Sequence, residues 1–364
     1  MKKCKYILCL CVSFMLTGCG MQSSAQVETD HAVTGLSQFP GTYRHKGENV
    51  IFDTQVVIEK QGEDNHVYSG KATLQPIAYT KLKTLLMGKE GIKEYKDKLN
   101  NYFGDKYIAY TYVKKDKTTL DIGFHNASYI TPFVNYVNAA FHPLEEDEKY
   151  NGDLYASEKE LPGFSRQEAF DLLKDTLRNI QADIPEEYVS YTLDHEMMRK
   201  EEVWENETGN EISEEKKDAW TKEDDAYYFA LRQRVCGISE IHSYYYEGLY
   251  DDSTSMPVEA IVSRRGVEEL LIERLFDYEM EKKPLALKPF DEIATSIEYN
   301  LSQAIGVDPF LVTKAQLRYY EQLTGKDEYK VIPVWLISYE QQIDGESIHY
   351  LNIYDAVTGK EITV

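Results

Sequence analysis

Three extended runs near the carboxyl end constrain the fold more than any other feature. Phe310 to Leu323 is rich in Val, Leu and Tyr, and Lys330 to Glu340 reads KVIPVWLISYE. Ser347 to Tyr354 follows after the polar turn Gln341 to Glu346. Long runs with this β-branched and aromatic content are strands, and two joined by a polar turn form a hairpin. Strands of this kind need a sheet and an apolar layer to cover it. Tyrosine points the same way: many of its 29 copies alternate with other residues. A tyrosine ring packs on a half-buried sheet while its hydroxyl reaches water. The expected class is α+β, with an N-terminal α+β module followed by two units of helix plus antiparallel sheet.

The other end of the chain bears on location. Met1-Lys2-Lys3 with Lys5 is a positive n-region, Tyr6 to Leu16 is a short apolar run, and Leu16-Thr17-Gly18-Cys19 follows at once. The run is too short to span a bilayer and ends on small residues, the form of a secretory signal. The Leu-x-Gly-Cys ending resembles the bacterial lipobox, which implies lipidation of Cys19 and cleavage before it. Residues 1–18 are therefore expected to be a lipoprotein signal peptide. Residues 19–40, small, polar and poor in aromatics, are expected to be a flexible leash. The expected location is the extracellular face of the cell membrane, held by lipid on Cys19.

Charge narrows the partners. The chain carries 62 acidic and 40 basic residues, a net charge of −22. Loss of Lys2, Lys3 and Lys5 with the signal takes this to −25. Such a surface repels nucleic acid and anionic headgroups, so no nucleic-acid partner is expected. Of five cysteines, Cys4, Cys9 and Cys11 leave with the signal and Cys19 takes lipid, which leaves Cys236. That rules out an intrachain disulfide or a multi-cysteine metal site in the mature form. The apolar strand context Arg234-Val235-Cys236-Gly237-Ile238 reads as a buried structural thiol. An exported chain without disulfides, rich in Lys and Glu, suggests a Gram-positive anaerobe.

Four segments follow the leash. Residues 41–143 form the N-terminal module. In it Asn49 to Ile58 is a strand with His66 to Leu74 as its hairpin partner, and Pro76 to Met87 and Gly91 to Phe103 carry helical spacing. Lys106 to Lys114 and Thr118 to Phe124 make a second hairpin, and Tyr129 to Phe141 reads as helix. Residues 144–162 are an acidic, turn-rich linker. There Asp147, Asn151, Gly152 and Glu158 fit an EF-hand loop, but Lys149 occupies a ligand position and no exiting helix follows, so no metal is expected. Residues 163–283 open on Ser165-Arg166-Gln167-Glu168, a capping box, and an amphipathic helix through Phe170, Leu173 and Leu177. A strand at Tyr188 to Leu193, a charged helical insertion at Lys200 to Ala219, and strands at Ala226 to Val235, Glu240 to Tyr246 and Val258 to Ser263 come next. Gly266 to Tyr278 closes the unit. Residues 284–364 repeat the order, with a helix from Phe290 through Ile297 and Leu301 before the three long strands.

The last unit looks like the PepSY-type fold, and the pair resembles the YycH/YycI class of exported regulators. The likeness rests on Val331-Ile332-Pro333-Val334-Trp335 and on Asn352 to Ile362 (NIYDAVTGKEI), with Tyr227 to Gln233 and Gly237-Ile238 in the preceding unit. It covers about 200 of 364 residues and its motifs are structural. It implies two PepSY-like helix-plus-antiparallel-sheet units and a role in modulating a membrane histidine kinase. Those regulators are usually held by a transmembrane helix, which this sequence lacks. The whole chain looks closer to uncharacterised surface lipoproteins of gut Firmicutes. Read by themselves, Pro333 belongs at an edge or strand start, Trp335 is a core anchor, and Asp355 with Thr358-Gly359 makes a turn.

Catalytic constellations are not recognisable in the sequence. Asp194-His195-Glu196 is dense, but neighbours on a strand face opposite ways, and Arg199 and Lys200 stand where an HExxH motif needs its second His. There is no Gly-x-Ser-x-Gly and no phosphate-binding loop. The best binding candidate is the aromatic run Tyr244, Tyr245, Tyr246 and Tyr250, whose rings suit a peptide or sugar. The expectation is a non-catalytic binding or regulatory lipoprotein without a cofactor, with a membrane protein, peptide or wall polymer as partner. A solute- or glycan-binding lipoprotein of a transport system is the alternative. A hydrolase with a site assembled from distant residues is a third reading.

Overall fold

The computed structural model describes residues 32–362, apart from 60–63, 101–105, 144–148, 184–187, 207–208, 242, 247–248, 255, 304–307, 326–327 and 344–345; within 243–254 and at 346 it gives the backbone alone. In chain order the elements begin with β1 (Thr42–Lys46), β2 (Val50–Val57), β3 (Gly70–Leu74), β4 (Lys93–Asn100), β5 (Lys106–Val113), β6 (Thr119–Ile122) and β7 (Ala127–Ile130). Next come α1 (Pro132–Asn138), α2 (Arg166–Asn179), β8 (Tyr188–Leu193), α3 (His195–Glu201), β9 (Ala226–Leu231), β10 (Arg234–Val235) and β11 (Ile238–Ser239). Last are β12 (Ser243–Tyr246), β13 (Leu249–Thr254), β14 (Val258–Ser263), β15 (Gly266–Ile272), β16 (Phe276–Met280), α4 (Phe290–Ser302), β17 (Phe310–Gly325), β18 (Glu328–Ile343) and β19 (Glu346–Asp355). The class is α+β, strand-rich with few helices, as expected.

The strands form two large sheets. An eight-stranded antiparallel sheet runs β4-β5-β6-β7-β15-β14-β9-β8. A seven-stranded sheet runs β1-β2-β17-β18-β3-β16, with β19 also on β18. The N-terminal segment 41–143 therefore closes no sheet of its own. Its β1, β2 and β3 join the carboxyl-terminal strands, and its β4 to β7 join β15, β14, β9 and β8. The expected β2–β3 hairpin is absent: β2 pairs in parallel with β17, and β3 pairs with β18 and β16. Local sequence could not show this, because each partner lies two hundred or more residues away.

Each sheet buries one face under a helix. Ser165 caps α2 by accepting the Glu168 N–H at 3.2 Å, and the Glu168 carboxylate accepts the Ser165 N–H at 2.7 Å. Ala169, Phe170, Leu173 and Leu177 then fall on one helical face and pack on Tyr227, Phe229 and Leu231 of β9 and Val258, Ala260 and Val262 of β14. The opposite face of β9 buries Ala226, Tyr228 and Ala230 against Phe133, Phe141 and Trp220. In the second sheet α4 packs through Phe290, Ile293 and Ile297. Trp335 is fully buried there, as the anchor reading requires, with edge-on contacts to Phe39 at 5.2 Å and Phe290 at 5.3 Å. β18 buries its other face too, through Ile332, Val334 and Leu336, which is why it reads as nearly continuous apolar sequence.

Pro333 lies inside β18 and not at its start. Its carbonyl accepts the Ala356 N–H at 3.1 Å, and β3 ends its pairing at Val331 where β19 begins at Val334. The missing amide donor therefore faces the one interval where that side of β18 changes neighbours. The turn reading holds: Asp355 Oδ1 accepts the Val357 and Thr358 N–H groups at 2.8 Å, and Gly359 takes φ +71.

Other expectations fail for identifiable reasons. The span expected as leash, 19–40, is not free at its far end: Val33 exchanges two 2.8 Å backbone hydrogen bonds with Leu287, and Leu36 is buried. Gly91 to Phe103 holds an edge strand, β4, because β5 offers it a ladder along its whole length. Pro76 to Met87 is helical only in its second half, 81–87, of which Lys83–Met87 is a π-helix. Tyr129 to Phe141 divides into β7 and α1 at Pro132. The 200–219 insertion is mostly not helical. Buried Glu202 holds it down by accepting from Trp204 Nε1 at 2.9 Å, Trp220 Nε1 at 2.8 Å and Lys217 N at 2.8 Å.

Candidate functional site

The chain passes between the two sheets at 74–75 and again at 273–276, side by side, with Gln75 N donating to Leu275 O at 2.9 Å. Two buried glutamines bind this seam. Gln233 treats Phe276 as a strand partner would, donating from Nε2 to its carbonyl at 2.8 Å and accepting its N–H at 2.9 Å. Gln75 does the same for Asp183, at 2.8 and 2.9 Å. Both amides replace backbone hydrogen bonds that the crossing interrupts.

Beside them lie two carboxyl groups and one phenol. Tyr278 Oη is 2.7 Å from Glu240 Oε2 and 3.0 Å from Glu321 Oε1. Glu240 follows β11 and is only 1% exposed, while Glu321 comes from β17. Burial pushes both carboxyls up, and the charge of Glu240 pushes Glu321 further; Tyr278 and Arg274 pull the other way. A phenol has a single proton to give. Both contacts are full hydrogen bonds only when one carboxyl carries a proton, which is the direction in which burial pushes the pair. Arg318, also buried, pairs with Glu59 at 2.8 Å nearby on β17.

A second acidic pair lies in the eight-stranded sheet. Tyr228 donates to Glu259 at 2.7 Å, and Glu269 is pushed up to about 7 by burial and then by the charge of Glu259. Neither cluster was visible in the sequence, because 62 acids make any two glutamates uninformative. The usable signal was an acid in apolar strand surroundings, as at Glu240 between Ile238 and Ile241; Gln233, flanked by Arg232 and Arg234, gave none.

The expected site residues fare differently. Cys19 lies outside the described residues. Tyr244, Tyr245, Tyr246 and Tyr250 fall on a two-stranded hairpin, β12–β13, in which Tyr245 opposes Tyr250; their side chains lie outside the description. Cys236 is not buried. It and Gly237 take φ +49 and +79 as the two-residue turn between β10 and β11, which carries the thiol out of the apolar row and leaves it exposed. Asp194-His195-Glu196 is a helix start: Asp194 caps α3, and His195 Nδ1 lies 2.7 Å from Asp225. Asn151, from the calcium-like stretch, accepts from His142 N at 2.8 Å and donates to Ala140 O at 2.9 Å. Among the described residues no three His, Cys, Asp or Glu gather as a metal site, and no helix is long and apolar enough to cross a membrane.

No family model and no curated protein matches the chain. Among solved structures it is similar to an uncharacterised protein from Eubacterium rectale. The two share 18% identity and a TM-score of 0.58, over 92% of this chain and 96% of that one. The likeness is one of fold. A further match is the Bacillus megaterium YpeB C-terminal domain, at 11% identity and a TM-score of 0.27, over 78% of this chain and 93% of that one.

Proposed function

We propose that the chain is a non-catalytic surface lipoprotein, held to the membrane through Cys19, that binds a protein, peptide or cell-wall partner on the extracellular face. The binding reading is carried by the β12–β13 hairpin, which pairs with neither large sheet and has tyrosine at 244, 245, 246 and 250. Tyrosine offers large contact area at low conformational cost, which is why recognition surfaces favour it. The anchoring reading rests on Leu16-Thr17-Gly18-Cys19. A regulatory role follows from the PepSY and YycH/YycI resemblance. It is supported by one long helix on each large sheet, α2 and α4. The seam triad fits a structural role in this reading, since its hydrogen bonds join segments of the protein to one another.

The test is a pull-down of epitope-tagged chain from cross-linked membranes, set beside the Cys19→Ala form. Enrichment of a sensor kinase, protease or secretion component with the anchored form alone supports the proposal. Recovery of muropeptides or oligosaccharide alone moves the function to solute or glycan capture. Turnover of wall glycan, peptide or ester substrates by the purified chain sinks the non-catalytic reading.

A further inference from the structure

Among the described residues β4 is the outermost strand of the eight-stranded sheet and is hydrogen-bonded along one side only, to β5. All eight of its residues, Lys93–Asn100, are exposed, including Tyr95 at 52% and Leu99 at 44%. An open edge of this length is a template for another strand. Its lysines are an ordinary defence against such pairing, but the order of its charges makes it complementary to itself.

The sequence KEYKDKLN can be slid antiparallel along a copy of itself. With Tyr95 opposite Tyr95, Lys93 faces Asp97 and Glu94 faces Lys96, each twice by symmetry, and no like charges meet. A slip of one residue sets Lys93 against Lys96, or Glu94 against Asp97. A slip of two sets Glu94 against Glu94, or Lys96 against Lys96. The next register free of repulsion, three residues on, sets Lys96 against Asp97 and makes half as many opposite pairs. Directly opposed unlike charges and aromatic pairs are what stabilise one antiparallel register over others.

We infer that β4 pairs antiparallel with β4 of a second copy of this chain, about a two-fold axis through Tyr95, joining two eight-stranded sheets edge to edge. A two-fold contact of this kind is isologous and closes at the dimer. Glu94 lies 2.7 Å from Lys83 and 2.8 Å from Lys96, which keep it ionised, so pairing about the axis exchanges the Glu94–Lys96 contact within each strand for two between the copies. The edge also escapes the repulsion of an acidic chain, since its three lysines outnumber its two acids.

Sedimentation equilibrium of the full chain in mild detergent tests this, using wild type, Glu94→Lys, Lys96→Glu, and an equimolar mixture of the two variants. The wild type is expected to dimerise. Each variant sets like charges opposite each other twice and is expected to weaken the dimer roughly tenfold or more. The mixture restores unlike pairs and is expected to recover a dimer. A monomeric wild type at every loading concentration overturns the inference, as do variants that dimerise as tightly as wild type or a mixture that stays monomeric. Lys93→Asp with Asp97→Lys repeats the test without disturbing Glu94, should either first variant lose its far-ultraviolet circular dichroism.

Discussion

Tyr278 has one hydroxyl proton and two carboxyl groups in reach, so its removal strands more than one hydrogen bond. Tyr278→Phe is expected to cost about 1–3 kcal/mol by urea unfolding, because two polar groups at the seam lose their partner. Glu321→Gln should be milder, since the amide keeps a neutral donor where the carboxyl pushed up by burial and by the charge of Glu240 stood. Protonation has a definite sign here. Glu269 titrates near 7 in the folded chain and near 4.5 when unfolded, so the folded state holds more protons between these values. Its stabilising contribution is complete below the unfolded value and is lost as pH rises through 7. The midpoint for thermal unfolding should therefore fall between pH 5 and pH 8, with Glu269 accounting for at most about 3 kcal/mol. Glu269→Gln should flatten that fall. Trp335 presents the opposite case, a large ring whose buried Nε1 finds no hydrogen-bond partner among the described residues. Trp335→Ala should cost about 3–5 kcal/mol, and Trp335→Phe clearly less, because it removes the stranded donor along with some of the packing.

Among the elements, the seam glutamines do the work of missing strand pairs. Gln233→Ala would strand the buried Phe276 N–H and leave its carbonyl only the Gln75 Nε2 donor at 3.2 Å, and is expected to cost about 2 kcal/mol in denaturant unfolding. The same change at an exposed glutamine is expected to be near neutral. The longest elements were the ones sequence could find. α2 announces itself through a capping box and a repeating apolar face, and β17 to β19 through unbroken strand composition, so periodicity and length agree. β4 could not be read: its alternating charges suit a helix surface as well as an exposed strand, and only the ladder offered by β5 decides. The seam escaped because Gln75, Gln233, Glu240, Tyr278 and Glu321 come from separate segments that only the fold brings together. Cys236 misled because its surroundings are apolar while its own backbone turns at positive φ.

The whole molecule does not divide where its sequence does. Linker composition suggested a boundary at 144–162, yet strands from before it belong to both sheets, and residues 32–364 form one compact unit. A fragment of residues 41–143 made alone is thus expected to lack cooperative thermal unfolding, as β1 to β3 would have no sheet to join. Full-length chain should unfold in a single transition. Trp335→Ala in one sheet and Phe229→Ala in the other should shift that transition together, as followed by intrinsic fluorescence and circular dichroism. Two separated transitions would show that the seam does not couple the sheets.

β2 lies between β1 and β17, in parallel with a strand that begins at Phe310. During synthesis this early strand must wait for nearly the entire chain to be made before its second neighbour exists. β3 waits longer still for β18. Assembly of the seven-stranded sheet is therefore a late event that cannot proceed stepwise from the amino end, and such distant pairing is slow. Until the last strands arrive, the first ones present open edges to any passing chain, so the yield of folded protein depends on keeping them apart.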